Sequence, residues 1–184
     1  MTPLSRPAAL DAWLAGAGFA AFDDTRVMAL ADLSCLPGAA SAPAPAGCSW
    51  QQLGSAAFAQ AAGRLRGSPL AQQQAHAERL ALSPVPFQAM ALRRDADGEL
   101  LACGQFAIEQ RLAGLYDIIV APSERGRGIG RALCMALLEQ AQAAGAQVAY
   151  LQVEADNDAA RALYRGLGFA DAYAYHYRGK QPRG

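Results

Sequence analysis

Three glycines and three arginines are concentrated in "VAPSERGRGIGRAL", from Val120 to Leu133, just after an apolar run. A strand that ends before a helix N-terminus leaves backbone N–H groups without partners, and their partial positive charge favours an anion. Glycine leaves room for a ligand beside the backbone, and arginine donates charge-assisted hydrogen bonds that suit phosphate oxygens. The residues concerned are Arg125, Gly126, Arg127, Gly128, Gly130 and Arg131. The pattern favours a pyrophosphate site over a turn that only packs helix on strand with its arginines in solvent.

The spacing of the glycines shows which of the known phosphate-binding motifs the chain can contain. The dinucleotide fingerprint G-x-G-x-x-G fails, because its third glycine would fall on Arg131 or Leu133. The triphosphate motif G-x-x-x-x-G-K-[ST] occurs nowhere in the chain. The spacing that is present is R-x-x-G-x-G, formed by Arg125, Gly128 and Gly130.

The elements that must position this turn follow from the period of the apolar residues. The runs "FQAMALRR", "ELLACGQFAIEQ" and "GLYDIIVAP" are typical of strands, and Asp97-Gly98 suits a hairpin between the first two. "GIGRALCMALLEQAQAAG" predicts a helix ended by Gly145, and a strand, a helix and a strand follow in "QVAYLQVEA", "NDAARALYRGLG" and "FADAYAYHYR". This order predicts an α/β fold with a mixed, mostly antiparallel central sheet, one parallel β-α-β crossover and flanking helices.

The N-terminal part of the chain divides into three segments. Residues 1–34 contain a predicted helix in "LDAWLAGAGF" and a predicted strand in "TRVMALADL". Residues 35–48 are rich in Pro, Ala and Gly and predict a surface linker. Residues 49–184 form the main domain, which opens with two predicted helices in "WQQLGSAAFAQAAGRL" and "PLAQQQAHAERLAL".

Two linked motifs of the main domain resemble the acyl-CoA site of the GNAT superfamily of N-acyltransferases. The first is [QR]-x-x-G-x-[GA] after a V-x-P strand end, present in "IIVAPSERGRGIGRAL". The second is N-x-x-A-x-x-L-Y-x-x-x-G-F, present in "NDAARALYRGLGF" as Asn157, Ala160, Leu163, Tyr164, Gly168 and Phe169. The resemblance covers Val85 to about Arg178 well and the first 48 residues poorly, so residues 49–184 are identified as a GNAT acetyltransferase domain.

The resemblance implies where acetyl-CoA, the expected cosubstrate, should bind. The backbone of Ile118 and Val120 should hydrogen-bond the pantetheine arm, which would lie along the strand like an added strand. The turn from Arg125 to Arg131, with Gly126, Arg127, Gly128, Ile129 and Gly130 between, should hold the pyrophosphate. Asn157 should contact the pantetheine or orient nearby groups, although a role as a plain N-cap is equally compatible with the sequence.

The resemblance also implies catalytic roles. Tyr164 should act as general acid toward the departing thiolate, since a phenol pKa of about 10 lies near a thiol pKa of about 8.5. Tyr164 could instead only pack the helix. The backbone N–H of Val120 is the expected oxyanion donor. Asp117 and Glu109 are alternative candidates for the general base, and Asp117 could equally form a cap or salt bridge.

These features predict an N-acetyltransferase that moves an acetyl group from acetyl-CoA to a primary amine of a small molecule or peptide. Direct transfer in a ternary complex is implied, because Cys134 lies among apolar residues and no other cysteine or serine is placed as a nucleophile. The alternative is a catalytically silent acyl-CoA-binding module that senses or regulates. A homodimer is left open.

Composition excludes several other classes. Sixteen basic residues balance sixteen acidic ones, which argues against a nucleic-acid partner or an anionic membrane. Apolar stretches long enough to span a bilayer are lacking, so a cytoplasmic protein is expected. The four cysteines lack CxxC spacing and the two histidines are far apart, so no metal is expected.

The N-terminal segment contains a short internal similarity. "AWLAGAGFA", from Ala12 to Ala20, aligns without gaps with "ALYRGLGFA", from Ala162 to Ala170. Each copy precedes a strand-like run, which suggests that residues 1–34 are the remnant of a second GNAT-like half. Chance is a rival in a chain so rich in Ala and Gly. Leu14 occupies the position of Tyr164, so the first copy is expected to be non-catalytic and to pack as a helix and strand.

Overall fold

The computed structural model describes residues 1–36 and 43–180, and it divides into two compact units. The smaller unit contains Met1–Leu30 and Tyr150–Gly184, and the larger unit contains Ala31–Ala149. Most of the predicted linker is described, but its residues 37–42 lie outside the described residues.

The larger unit contains four antiparallel strands in the order β2-β3-β4-β5. Their bounds are β2 Cys48–Leu53, β3 Phe87–Arg94, β4 Leu100–Glu109 and β5 Leu112–Val120. The predicted pair β3 and β4 is confirmed, and its connecting turn contains Gly98 at a φ of 71°. The central strand β4 is buried over most of its length, so the unit is built around it.

One prediction in this unit was wrong. The run from Trp50 was assigned to a helix, but Cys48–Leu53 is strand β2, and the helix begins only at Ser55. Trp50 lies opposite Leu92 of β3 in the pairing register. The backbone of Gly54 is extended, with ψ at 173°, and this separates strand from helix. Side chains in this run suit a helix, but the run forms a strand because β3 provides hydrogen-bond partners for the backbone groups of Cys48–Leu53.

Helices cover both faces of these strands. Helices α2 (Ser55–Arg66) and α3 (Leu70–Ala81) pack together on one face, where Phe58 and Cys103 belong to a buried apolar cluster. Helix α4 (Ile129–Ala143) packs on the other face. A Cβ at Gly104 would lie 2.9 Å from Leu137 of α4 and 2.8 Å from Ile118 of β5. Successive residues of a strand face opposite sides of the sheet. Cys103 therefore faces α2, and Gly104, the next residue, faces α4.

The smaller unit contains two helices, two whole strands and all of β6 but its first two residues. Their bounds are α1 Leu10–Gly16, β1 Ala20–Leu30, β6 Val148–Glu154, α5 Asp158–Arg165 and β7 Ala170–Gly179. Strand β1 lies between β6 and β7 and pairs antiparallel with β7. The helix and strand predicted within residues 1–34 are therefore present, and they belong to the same unit as the C-terminal segment.

The predicted class is confirmed as a mixed, mostly antiparallel α/β fold with flanking helices. The strand, helix and strand expected for the crossover occur in that order as β5, α4 and β6. Within the described ranges, each helix is too short or too polar to cross a membrane.

Candidate active site

The glycine turn lies in the larger unit, between the end of β5 and the start of α4. A short 3-10 turn, Pro122–Glu124, follows β5, and α4 begins at Ile129. Gly126 and Gly128 have φ angles of 76° and 79°, which residues with a side chain rarely adopt. A Cβ at either position would meet nothing within 4 Å. Glycine is therefore required by the backbone conformation, and the surface beside the turn is open.

The N-terminus of α4 faces this open surface with its backbone amides. Gly128 is the N-cap residue, and no side chain among the described residues caps the helix there. The first amides of a helix lack intrahelical partners and carry partial positive charge. The amides at Ile129 and Gly130 therefore form a site that favours an anion.

Two of the arginines of the turn are held by neighbouring groups. Arg125 donates through Nε to the carbonyl oxygen of Val120 at 3.4 Å. Arg127 is 68% exposed and pairs with Glu124 at 3.2 Å. Both side chains therefore lie at the turn where the sequence placed them.

Glu124 and Arg94 were missed by the sequence analysis. Glu124 is buried, and its carboxylate also accepts from Arg94 Nη2 of β3 at 3.1 Å. A buried carboxylate beside an anion site would oppose it unless it were neutralised. Arg127 pairs with this carboxylate, and so does Arg94, which also pairs with Asp97 and Glu99. Only the tertiary fold brings Arg94, thirty positions earlier in the chain, to this turn.

Asp117 lies in a bulge of β5. Cys103 pairs with Ile119 but Gln105 pairs with Tyr116, so β5 has one extra residue in this interval. Asp117 takes a φ of 53°, in the left-handed region that aspartate tolerates better than most residues. Bulges redirect side chains and are frequent beside active sites.

The bulge directs the Asp117 carboxylate toward α2 and α3. Arg66, in the last turn of α2, donates to Asp117 Oδ1 at 2.5 Å, and Gln105 Nε2 of β4 donates to Oδ2 at 3.0 Å. His76 Nε2 of α3 lies 3.4 Å from the same Oδ2. The Asp117 side chain is 19% exposed, so it lies in a half-buried polar cluster rather than on a solvent face.

The sequence analysis had no signal for the partners of Asp117. Arg66, His76 and Gln105 come from three different elements, and none is part of a local motif. Burial lowers the pKa of His76 below its usual value of 6.5, because it disfavours the charged imidazolium, although Asp117 acts in the opposite direction.

Glu109, the other candidate base, lies elsewhere. It is exposed at the end of β4, opposite Leu112 in the β4–β5 hairpin. Leu112 and Val120 are the two ends of β5, so they are roughly 25 Å apart at about 3.3 Å per residue. The structure therefore brings Asp117, but not Glu109, to the Val120 half of β5.

Asn157 and Tyr164 lie in the smaller unit. Asn157 Oδ1 accepts from the amide of Ala160 at 3.1 Å, so its predicted N-cap role on α5 is confirmed. Tyr164 is buried, and its ring centroid lies 6.0 Å from that of Phe169. The packing role of Tyr164 is therefore present, and its catalytic role stays a prediction.

The buried cysteines are unsuited to nucleophilic attack. Burial raises the pKa of both Cys103 and Cys134 to about 12, which keeps them as thiols near neutral pH. This agrees with the interpretation of Cys134 as a core residue.

Comparisons with known proteins support the resemblance to GNAT acetyltransferases that the two sequence motifs indicated. The family model described as "Acetyltransferase (GNAT) family" matches residues 65–169. A mycothiol acetyltransferase of Clavibacter michiganensis subsp. michiganensis is 43% identical over 81 residues, which are 44% of this chain and 26% of that protein. The N-alpha-acetyltransferase RimI of Mycobacterium tuberculosis is 51% identical over 55 residues, which are 30% of this chain and 33% of that protein. The chain thus spans a third or less of the length of these relatives.

A solved structure shares the fold over nearly the whole chain. It is the tandem GNAT protein from the clavulanic acid biosynthesis pathway, with a TM-score of 0.75 and 19% identity. The match covers 99% of this chain and 61% of that one. The motif spacing, the geometry of the glycine turn and the family match agree, and the chain belongs to the GNAT acetyltransferase family.

Proposed function

We propose that this protein transfers an acetyl group from acetyl-CoA to a primary amine of a small molecule or peptide. One observation carries the proposal. Directly after β5, two glycines at positive φ lead into the N-terminus of α4, which no described side chain caps. That arrangement, in a chain of this family, suits the pyrophosphate of CoA.

The proposed cosubstrate contacts are those that the resemblance to the family implies. The amides from Arg127 to Arg131 hold the pyrophosphate, and Arg125 and Arg127 contribute charge. The backbone of Ile118 and Val120 holds the pantetheine arm, and Asn157 contacts it from the start of α5. Exposure of Arg127 and Asn157 in the structure is compatible with these roles.

The proposed chemistry is direct transfer. The amine nitrogen forms a bond to the thioester carbonyl carbon, and the bond from that carbon to sulfur then breaks. The Val120 N–H stabilises the oxyanion, and Tyr164 gives its proton to the departing thiolate. The high pKa of the buried cysteines supports a route without an acyl-cysteine intermediate.

The names of the relatives support an amine acceptor without choosing one. One relative is named a mycothiol acetyltransferase, and another is named an N-alpha-acetyltransferase. A small molecule and a peptide N-terminus are therefore both included in the acceptor class that we propose.

A screen of amines with acetyl-CoA tests the proposal. Release of free CoA and the mass of the acetylated product should identify at least one acceptor. The control is Gly128→Glu, which places a side chain at a φ of 79° and a negative charge against the pyrophosphate. We expect this variant to bind CoA at least tenfold more weakly.

Two outcomes would contradict the proposal. Wild-type protein that binds CoA but acetylates no amine would indicate a silent binding module. A G128E variant that binds CoA as tightly as wild type would place the CoA site elsewhere.

A further inference from the structure

Gln105 presents a buried hydrogen-bond acceptor without a partner. The residue is 6% exposed, and its Oε1 has no hydrogen-bond partner among residues 1–36 and 43–180. The orientation of the amide is fixed by chemistry, because Nε2 donates to the Asp117 carboxylate, which can only accept when ionised. Buried polar atoms are rarely left unpaired, so Oε1 points to a donor supplied by a ligand or a water.

His76 provides a proton acceptor in the same cluster. Its Nε2 lies 3.4 Å from Asp117 Oδ2, longer than the roughly 2.8 Å of a charge-assisted hydrogen bond. A proton taken up by Nε2 would place an imidazolium beside the Asp117 carboxylate, where the opposite charge stabilises it. The side chain of His76 is 15% exposed, which leaves a route for the proton to solvent.

The surroundings of His76 on balance favour its neutral form, which can accept a proton. Asp117 faces it from β5, Arg66 from the end of α2, and Arg79 lies on its own helix. Burial comes first among the causes that lower the pKa of His76, and the two arginines act in the same direction. The nearby thiol of Cys103 is buried and uncharged.

We propose that Gln105, Asp117 and His76 form the proton-accepting end of the amine site, with Gln105 Oε1 and the Asp117 carboxylate binding the acceptor's ammonium group and His76 Nε2 taking its proton. This inference rests on the acetyltransferase function proposed above. It assigns the general base to a pair in which Asp117 positions His76, rather than to Asp117 or Glu109 alone.

The proton balance of the step is simple. The ammonium group loses one proton, which His76 Nε2 holds as imidazolium beside the Asp117 carboxylate. The neutral amine then attacks the thioester carbonyl. As the carbon–sulfur bond breaks, the nitrogen loses its second proton to solvent, and solvent replaces the proton that Tyr164 gives to the thiolate. His76 returns the first proton to solvent before the next turnover. A base of this kind contributes about 10²–10⁴-fold to rate.

The test compares the two histidines of the chain. His76→Gln keeps a polar side chain but cannot take up a proton, and His176→Gln is the matched control in β7, where His176 pairs with Asp11. For wild type and H176Q, kcat should be level above the usual titration range of histidine, near pH 6.5. For H76Q, kcat should be about 10²-fold lower at pH 7 and should rise about tenfold per pH unit, because solvent must remove the proton.

Further variants keep the test valid if H76Q folds poorly. Imidazole added to His76→Ala should restore at least tenfold of the lost rate, with no effect on wild type. Gln105→Leu should raise the KM for the amine about tenfold while CoA affinity stays the same, since a hydrogen bond to a charged group is lost.

The outcomes separate the two proposals. If wild type acetylates an amine and H76Q keeps the wild-type pH profile, the role of His76 is wrong while the proposed function stands. If Q105L leaves the KM for the amine unchanged, Gln105 does not bind the ammonium group. If wild type acetylates no amine, both proposals fail.

Discussion

Two segments of the smaller unit have similar backbone conformations but differ in the chemistry of their side chains. The first is α1 with β1, from Leu10 to Leu30, and the second is α5 with β7, from Asp158 to Gly179. We compare each residue of the first with the residue 150 positions later, the offset at which Ala12 to Ala20 align with Ala162 to Ala170 and Leu14 with Tyr164. We refer to them as the first and second copies.

The turns of the two copies have the same hydrogen bonds. The amide of Phe19 donates to Leu14 O at 3.0 Å, and the amide of Phe169 donates to Tyr164 O at 3.0 Å. The glycine before each phenylalanine is left-handed, with a φ of 81° at Gly18 and 94° at Gly168. The sequence similarity therefore corresponds to a repeated local structure.

The strand pairing is also symmetric. Ala20 lies opposite Gly179, and the corresponding pair, Ala170 opposite Ala29, is present as well. Thr25 lies opposite Tyr175, which is its own counterpart in the other copy. Strands β1 and β7 are thus related by an approximate local two-fold axis near this pair.

The side chains of the two copies differ in burial and in their contacts. Tyr164 is buried in the second copy, whereas α1 buries none of its residues. Helix α1 is instead linked to β7 by an ion pair from Asp11 to Arg178 and by a hydrogen bond between Asp11 and His176, each 2.8 Å long. Repetition of the backbone therefore does not repeat the candidate chemistry, and we propose that the first copy is a non-catalytic remnant of a second GNAT-like half.

The largest expected effect is on turnover, which should depend on the second copy and not on the first. Tyr164→Phe removes the proposed acid but keeps the ring that packs against Phe169, so turnover should fall about 10²-fold with CoA affinity little changed. The matched variant Leu14→Phe should leave turnover unchanged. Steady-state kinetics across pH check both, and an unaltered rate for Y164F would reduce Tyr164 to packing.

A smaller effect is expected from the two glycine turns. Alanine at Gly18 or Gly168 should cost about 1–2 kcal/mol of folding free energy, because both glycines are left-handed. Gly168→Ala should cost more, since its Cβ would lie 3.2 Å from Leu30 Cδ1, whereas a Cβ at Gly18 meets nothing within 4 Å. Chemical denaturation of both variants checks the order, and a greater loss for G18A would contradict it.

The smallest effect concerns the link between α1 and β7. Arg178, and then His176, hold the pKa of the Asp11 carboxyl well below its usual value, so the folded protein favours the carboxylate. This contribution is present above about pH 4 and is lost as the pH falls below it. Asp11→Asn should speed amide exchange in α1 at neutral pH, with little difference from wild type in strong acid. Equal exchange at neutral pH would show that the contacts of Asp11 do not hold α1.

The strand assignments show why local sequence was informative in one place and misleading in another. Strands β3, β4 and β5 have apolar runs bounded by Gly or Pro, so sequence alone predicted them. Strand β2 contains Trp50, Gln51 and Gln52, which suit a helix as well, and only pairing with β3 decides its conformation.

The candidate site divides in the same way. The sequence determined the glycine turn, because the left-handed backbone of Gly126 and Gly128 and the amides of a helix N-terminus are local properties of a short segment. It also determined the repeated helix and turn around Leu14 and Tyr164, which depend on neighbouring residues.

Only the tertiary structure decided what surrounds Asp117 and Glu124. Arg66, His76 and Gln105 reach Asp117 from α2, α3 and β4, and Arg94 reaches Glu124 from β3. These contacts join residues far apart in the chain, and a side chain's local sequence does not specify which distant group will neutralise it or share its proton. The packing of helices on the strands fixes those distances, and with them the electrostatic environment of the site.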